Sequence, residues 1–425
     1  MTNTGELIEG LAIDSKVTIL SGGQAMRNKE VFHELILSVT QGMHETRREA
    51  LAAVVAAAVD GQCLTVTGLG RAITSEAREK HHIKRADRLL SNGHLQGECM
   101  EIYGAMARRL VGGQKHPVVV VDWSDLDPLK THQLLRASLV VAGRALTLYE
   151  EVHDKLTALK AATHVKFVQR LSTMLPVSCR PVVVTDAGFH PPWFAAIEAQ
   201  GWWWIGRIRQ DPWVRLEGKS QWQSARQLSA CARARPVSLG EVELTQKRAH
   251  RCRLVMYTGK PKGRHQLTRL GERARNAVST KHAAGAREPW LLATNLPVTY
   301  HLASKVVRIY RARMQIEEAF RDVKSPRFGL ALEYHRTTTA RRLAVLMLIG
   351  ALAWLGLWLI GTIAHAKGSQ RHYQANTVRS HLVLSVIFLA LRVCGRHRDR
   401  FTAEEIAAAW RHITILNSAC WGDHD

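Results

Sequence analysis

The chain has no cysteine pattern to organise it. Its seven cysteines are scattered from Cys63 to Cys420, an odd number with no CxxC pair. That excludes a zinc ribbon and a disulfide framework, and makes a reducing cytoplasm the simplest setting. The start also lacks an apolar stretch: MTNTGELIEGLAIDSK carries acidic residues early, so it does not read as a secretory signal. No internal repeat is visible. Acid is scarce, with 36 Asp and Glu against 59 Lys and Arg, a formal net charge of +23 and a pI near 10.2. Such an excess points to a polyanionic partner, either nucleic acid or an anionic membrane surface, with a generally basic protein as the bland alternative.

Charge of either sign is absent from Leu343 to Ala364, a run of 22 residues preceded by Arg341 and Arg342. That length can span a bilayer. It equally suits a helix buried on all sides inside a large core. A lone span in a chain this basic on both sides is an odd anchor, and the rest of the chain favours the buried helix. A hydrophobic content of 46% over 425 residues argues against wholesale disorder. The length suggests about three domains.

What is present begins with residues 1–30, a Gly-containing polar stretch read as a poorly structured extension, with Met26 as an alternative start. Residues 31–110 read as helical, with the Ala-rich ALAAVVAAAV followed by LTVTGLGRAI and SEAREKHHIKRADRLLSN. The last two form a pair of short helical patterns joined by a break, and the second carries Arg78, Lys80, Lys84, Arg85 and Arg88. This suits a helix-turn-helix that binds DNA through Lys84, Arg85 and Arg88. A solvated basic helix is the alternative.

From residue 117 the pattern turns to strands. PVVVVD is a continuous β-branched run ending in Asp122, and LLRASLVVAGRALTLYEEV reads as a hairpin turning at or beside Ala142 and Gly143. A helical stretch around HDKLTALKAATHVKFVQRLSTML follows. PVVVTD then repeats the first signature with Asp186, PPWFAAIEAQG starts a helix with proline, and WWWIGRIR is another strand. This β-β-β-α-β-α order, with aspartates ending two apolar strands, suggests an α/β fold with an RNase H-like catalytic core. Residues 210–288 read as an inserted basic β-rich subdomain. From Lys247 to Arg287 there are twelve Lys or Arg against Glu272 alone, and a disordered basic loop is the alternative for 259–288. The core then spans 111–209 and 289–375. Residues 376–425 read as a helical region suited to dimerisation.

An aspartate ending a buried strand is often structural, but two of them at strand ends form a place where ligands sit. Carboxylates there suit hard cations such as Mg²⁺. Two such ions about 4 Å apart stabilise the attacking and leaving oxygens of an in-line phosphoryl displacement. A third carboxylate comes from a helix read over 303–324. Tyr310, Arg313, Glu317 and Lys324 fall within an arc of roughly 60° at about 100° per residue. That face is poor core material. It suits Glu317 on metal with Arg313 and Lys324 on phosphate. A solvated face with an Arg–Glu pair is the alternative, and Glu318 points elsewhere.

These residues carry a resemblance. The spacing Y-x2-R-x3-E-x6-K at Tyr310, Arg313, Glu317 and Lys324, with VVVVDWSD, VVVTDAGF and RMQIEEAFRDVKSPRFGL, resembles the DDE transposases of the insertion sequence four family. The likeness runs from about residue 45 to at least 380 and leaves residues 1–30 without a counterpart. It implies a catalytic, metal-binding triad of Asp122, Asp186 and Glu317, with two Mg²⁺ ions that Mn²⁺ replaces. It also implies cut-and-paste movement through hairpin ends, terminal inverted repeats and target DNA as partners, and a homodimer in the synaptic complex. The apolar run becomes a buried helix, with no membrane. Trp290 in EPWLLATNLPV is most simply core; the resemblance gives it a place against a flipped base at the DNA end. Three rivals stay open: a nuclease of the same fold that cleaves without joining, a DNA-binding regulator that has lost catalysis, and a membrane protein.

Overall fold

The computed structural model describes residues 25–141, 143–209, 212–259, 272–277, 279–280, 288–375, 377, 383–396 and 399–422. Most of the expected 1–30 extension and residues 260–271 of the basic stretch lie outside these. Where the chain enters, Met26 already pairs with Phe401 and a helix starts at Asn28, so the residues up to 30 are not all irregular.

Five helices come first: α1 (Asn28–Val39), α2 (Glu45–Asp60), α3 (Val66–Ala72), α4 (Glu79–Leu90) and α5 (Gly93–Val111). Between α1 and α2 the chain turns at Gly42, with φ +85. The Ala-rich α2 has high intrinsic helix propensity. Thr65 and Asn92 cap α3 and α5 by accepting backbone N–H bonds from Gly68 and Leu95.

The core is a sheet. Strands β1 (Val118–Asp125), β2 (His132–Val141) and β3 (Arg144–Asp154) form an antiparallel meander, and β4 (Val182–Thr185) and β5 (Trp203–Ile208) lie parallel to β1. Helices α6 (Ala161–Met174) and α7 (Pro191–Glu198) connect them. The helical reading from His153 began too early: His153 and Asp154 end β3, and α6 starts at Ala161. Next come β6 (Trp213–Leu216), β7 (Gln223–Ser224), the short α8 (Ala225–Ser229), β8 (Val237–Leu244), β9 (His250–Tyr257) and β10 (Trp290–Thr294). The sheet order is β3-β2-β1-β4-β5-β10-β9-β8-β6-β7. Strand β10 pairs with both β5 and β9, so the strands after residue 210 continue the core sheet. A large mixed sheet flanked by helices fits the RNase H-like fold of a DDE enzyme.

The chain ends in α9 (Leu302–Arg311), α10 (Met314–Lys324), α11 (Ala340–Ala366), α12 (Val386–Arg396) and α13 (Ala403–Trp421). The helix expected over 303–324 is therefore two, broken at Ala312 and Arg313. Helix α11 is the apolar run. It is long and apolar enough to cross a membrane, yet 94% of its most apolar window is buried within the protein. It packs on β3, α1, α2, α5, α12 and α13. At Gly356 a Cβ would stand 2.1 Å from the Phe32 ring, so only glycine lets α1 approach this closely. Being covered on every side, the helix needs no polar face.

Helix α13 closes the back of the sheet. Asn417 is fully buried. Its Oδ1 accepts from Val118 N at 2.9 Å, and its Nδ2 donates to the carbonyls of Val118 and Val140 at 3.0 and 2.8 Å. Trp421 stacks on Trp203 at 5.3 Å and lies 3.7 Å from Lys305 Nζ. The buried face of this helix is thus spent on its own core.

If α11 is core, Leu355→Arg places an unpaired charge where Leu355 is 2% exposed. That cost rivals the whole stability of a domain, about 5–15 kcal/mol. The expected outcome is insoluble or unfolded variant protein, with wild type recovered soluble without detergent. Recovery of wild type only with membranes would contradict this packing.

Candidate active site

The two aspartates are brought together by strand register. Val118, Val119, Val120 and Val121 of β1 stand beside Val182, Val183, Val184 and Thr185 of β4. The next residues, Asp122 and Asp186, are therefore at the same level, about 4.8 Å apart in backbone spacing. Asp186 lies just past β4, but Asp122 does not end its strand as expected, since β1 runs on to Asp125 with Asp122 paired to Arg136. The β-branched run is what a strand buried on both faces requires. Asp122 Oδ1 accepts from Trp123 N at 2.8 Å and its Oδ2 accepts from Arg313 Nη1 at 3.0 Å. Asp186 Oδ1 accepts from Gly188 N at 2.9 Å. Burial, and then the negative charge of Asp186, push the Asp122 carboxyl up to about 7, against the pull of Arg313 and the Trp123 N–H.

Glu317 sits in the first turn of α10, just past the break. Arg313 lies at that break and spans the gap, with Nη1 on Asp122 and Nη2 on Glu317 Oε1 at 2.5 Å. Its side chain is 11% exposed while that of Glu317 is 43% exposed. Burial disfavours the guanidinium charge, but Tyr310, Asp122 and Glu317 outweigh it and raise its pKa. Lys324 closes the other end of α10. Its Nζ donates to Ser124 Oγ at 2.7 Å and to the Asp125 carbonyl at 2.5 Å, so its donors hold the end of β1. Gly329 makes this seat possible, because a Cβ there would overlap the Asp322 carbonyl. Tyr310 is buried at the end of α9, and Trp290, at the start of β10, meets it edge-on at 4.9 Å.

Two further residues escaped the sequence reading. Thr185 pairs with Gly206, so Arg207 on β5 is level with Asp186. Arg207 Nε and Nη2 and Arg313 Nε are buried donors without hydrogen-bond partners, although Arg207 Nη2 lies 3.6 Å from Glu288. Arg209 binds the same Glu288 at 2.6 Å and feels the charge of Asp186. The hint in the sequence was the Arg-Ile-Arg spacing after a tryptophan-rich strand; what strand alternation does not disclose is which strand lies next to which. Unpartnered guanidinium N–H groups beside carboxylates are suited to an anion such as a phosphodiester. Lys84, Arg85 and Arg88 stand exposed on α4, with Arg78 and Lys80, in the N-terminal helical layer. Arg85 and Arg88 line a groove between α2 and α4, and the Asp87–Arg342 pair at 2.6 Å ties α4 to the start of α11.

Among the described residues no group of three His, Cys, Asp or Glu side chains is disposed to hold a metal as it stands. Glu317 is instead paired with Arg313. The donor chemistry nevertheless fits a hard divalent cation. It is all carboxylate oxygen, and such an ion would relieve the repulsion that raises the Asp122 carboxyl. Residues 113–354, more than half of the chain and including all three carboxylates, match the transposase DDE domain family. No curated protein matches the chain.

The raised Asp122 carboxyl has a stability consequence in metal-free protein. Its folded pKa of about 7 lies above the ordinary 3.8, so its contribution is fully present below 3.8 and is lost as pH rises through about 7. Melting temperature measured against pH in chelator should fall more steeply across that window for wild type than for Asp122→Asn. Parallel curves would show that the carboxyl is not strained by its surroundings.

Proposed function

We propose that this chain, which belongs to the transposase DDE domain family, cleaves and joins phosphodiester bonds at the ends of an insertion sequence through Asp122, Asp186 and Glu317. Membership makes it an enzyme that acts on DNA. The observation that carries the residue assignment is the matched register of β1 and β4, which sets two carboxylates side by side with Arg313 linking Asp122 to Glu317.

In this reading Asp122 and Asp186 hold one side of a divalent ion site and Glu317 completes it, with Mg²⁺ as the ion, two ions in all, and Mn²⁺ as a substitute. When bound, the ions stabilise charge on the attacking and leaving oxygens of the phosphate. The chain's own residues do the positioning. Arg207 and Arg313 offer N–H donors to the non-reacting phosphate oxygens. Lys324 keeps the β1 end fixed against α10. Trp290, half-buried and backed edge-on by the buried Tyr310, is the ring on which a base extruded from the end can stack. The finer likeness, to the insertion sequence four family and within it to the transposase of insertion sequence ten, supports cut-and-paste movement through hairpin ends in a cytoplasmic homodimer. The exposed cations of α4 are the part suited to reading the terminal repeats.

Alanine at Asp122, Asp186 or Glu317 should abolish Mg²⁺-dependent nicking of DNA carrying the element ends, while gel-shift binding persists. Normal cleavage by Glu317→Ala would remove it from the triad and turn attention to Glu318. Trp290→Ala should still nick but form fewer hairpins, since base stacking is worth about 1–3 kcal/mol. An abasic site near the end should restore part of that loss. Equal loss of nicking and hairpinning would make Trp290 a core residue only.

A further inference from the structure

One guanidinium is engaged by two of the three carboxylates that the cation needs. Arg313 Nη1 is 3.0 Å from Asp122 Oδ2 and Nη2 is 2.5 Å from Glu317 Oε1. A divalent ion bound between these oxygens would face a positive group at contact distance, so ion and guanidinium cannot share them. Arg313 also sits at the Ala312–Arg313 break between α9 and α10. Its Nε is buried with no hydrogen-bond partner, so the side chain has donor capacity that the two carboxylates do not use. A phosphodiester matches that need, because its oxygens accept the planar fork of a guanidinium in paired bonds. Nearby Arg207 has unpartnered donors of its own and adds to the attraction for an anion.

We propose that Arg313 is an internal counter-ion that competes with the divalent cation for Asp122 and Glu317, so that the cation site completes only when a DNA phosphate takes over the guanidinium. This rests on the triad reading above. Arg313 is then a positioning residue that acts through the carboxylates. Without DNA it neutralises the site and keeps Glu317 turned away from a ligand position. With DNA it moves onto phosphate and releases two oxygens together. Metal loading and substrate binding become mutually supportive, as any linked pair must be.

The test is the affinity for Mn²⁺ alone, read by the electron paramagnetic signal of the free ion, on the full chain without DNA. Arg313→Gln should bind Mn²⁺ at least about tenfold more tightly than wild type. Arg313→Lys, a point charge able to pair with only one carboxylate at a time, should fall between them. A short mixed-sequence duplex should tighten Mn²⁺ binding by wild type and leave Arg313→Gln unchanged, after subtracting the ions taken up by the duplex beside an Asp122→Ala, Asp186→Ala double variant. Equal affinities of wild type and both Arg313 variants, with the double variant weaker, would overturn the competition and leave the metal site standing. A double variant that binds as well as wild type would instead sink the triad reading. Should Arg313→Gln fail to fold by circular dichroism, Arg313→Lys carries the comparison, and its equality with wild type overturns the proposal.

Discussion

Two carboxylates held side by side at half-buried positions set the terms for the rest of this molecule. Asp122 and Asp186 follow valine runs at the same level of neighbouring strands, where burial and the charge of Asp186 both oppose ionisation of Asp122. Such a pair survives only if its surroundings are rigid and supply compensating donors. The backbone N–H groups of Trp123 and Gly188 and the guanidinium of Arg313 are those donors. Strain of this kind is what a metal-dependent site needs, since it is relieved when positive charge arrives.

Rigidity comes from both ends of the strands. Behind the site, Asn417 of α13 satisfies the Val118 N–H and the carbonyls of Val118 and Val140, and the stacked Trp421 and Trp203 pin the same helix to the sheet. In front, α10 crosses the sheet and is tied to it along its length. Gln315 accepts from Val141 N, Asp322 pairs with Arg144, and Lys324 reaches Ser124 and Asp125. Glu317 is the part of this tether that faces the aspartates, and it is the most exposed of the three carboxylates. The arrangement keeps Asp122 and Asp186 on the sheet and leaves Glu317 the freest of the three carboxylates. The wide sheet beyond β5 brings Trp290 up to Tyr310, with Tyr257 as the other ring contact of Trp290.

Much of this could be read from residues alone, for identifiable reasons. The runs ending in Asp122 and Asp186 are legible because a strand buried on both faces has no alternation to obscure it. The face shared by Tyr310, Arg313 and Glu317 survives the break at Ala312, because both break residues keep helical dihedrals and the angular phase carries across. The break itself has no Gly or Pro to announce it. Lys324 reads as a phosphate ligand by its charge; two of its three donors go to Ser124 and the Asp125 carbonyl, a choice that depends on packing between distant segments. Arg207 went unread for the same reason: its place beside Asp186 follows from β4–β5 pairing, which no local pattern encodes. The apolar run of α11 is ambiguous by composition, and only the elements packed around it decide that it is core.

The central claim is that Asp122, Asp186 and Glu317 share a divalent ion when DNA is bound. Iron(II) placed in the site with ascorbate generates radicals that cut the backbone next to the metal, and the cut positions can be read from the fragments. With a duplex bound, cuts are expected to cluster after β1, after β4 and at the start of α10, and to vanish in Asp186→Asn. Cuts clustered elsewhere, or an unchanged pattern in Asp186→Asn, would contradict it.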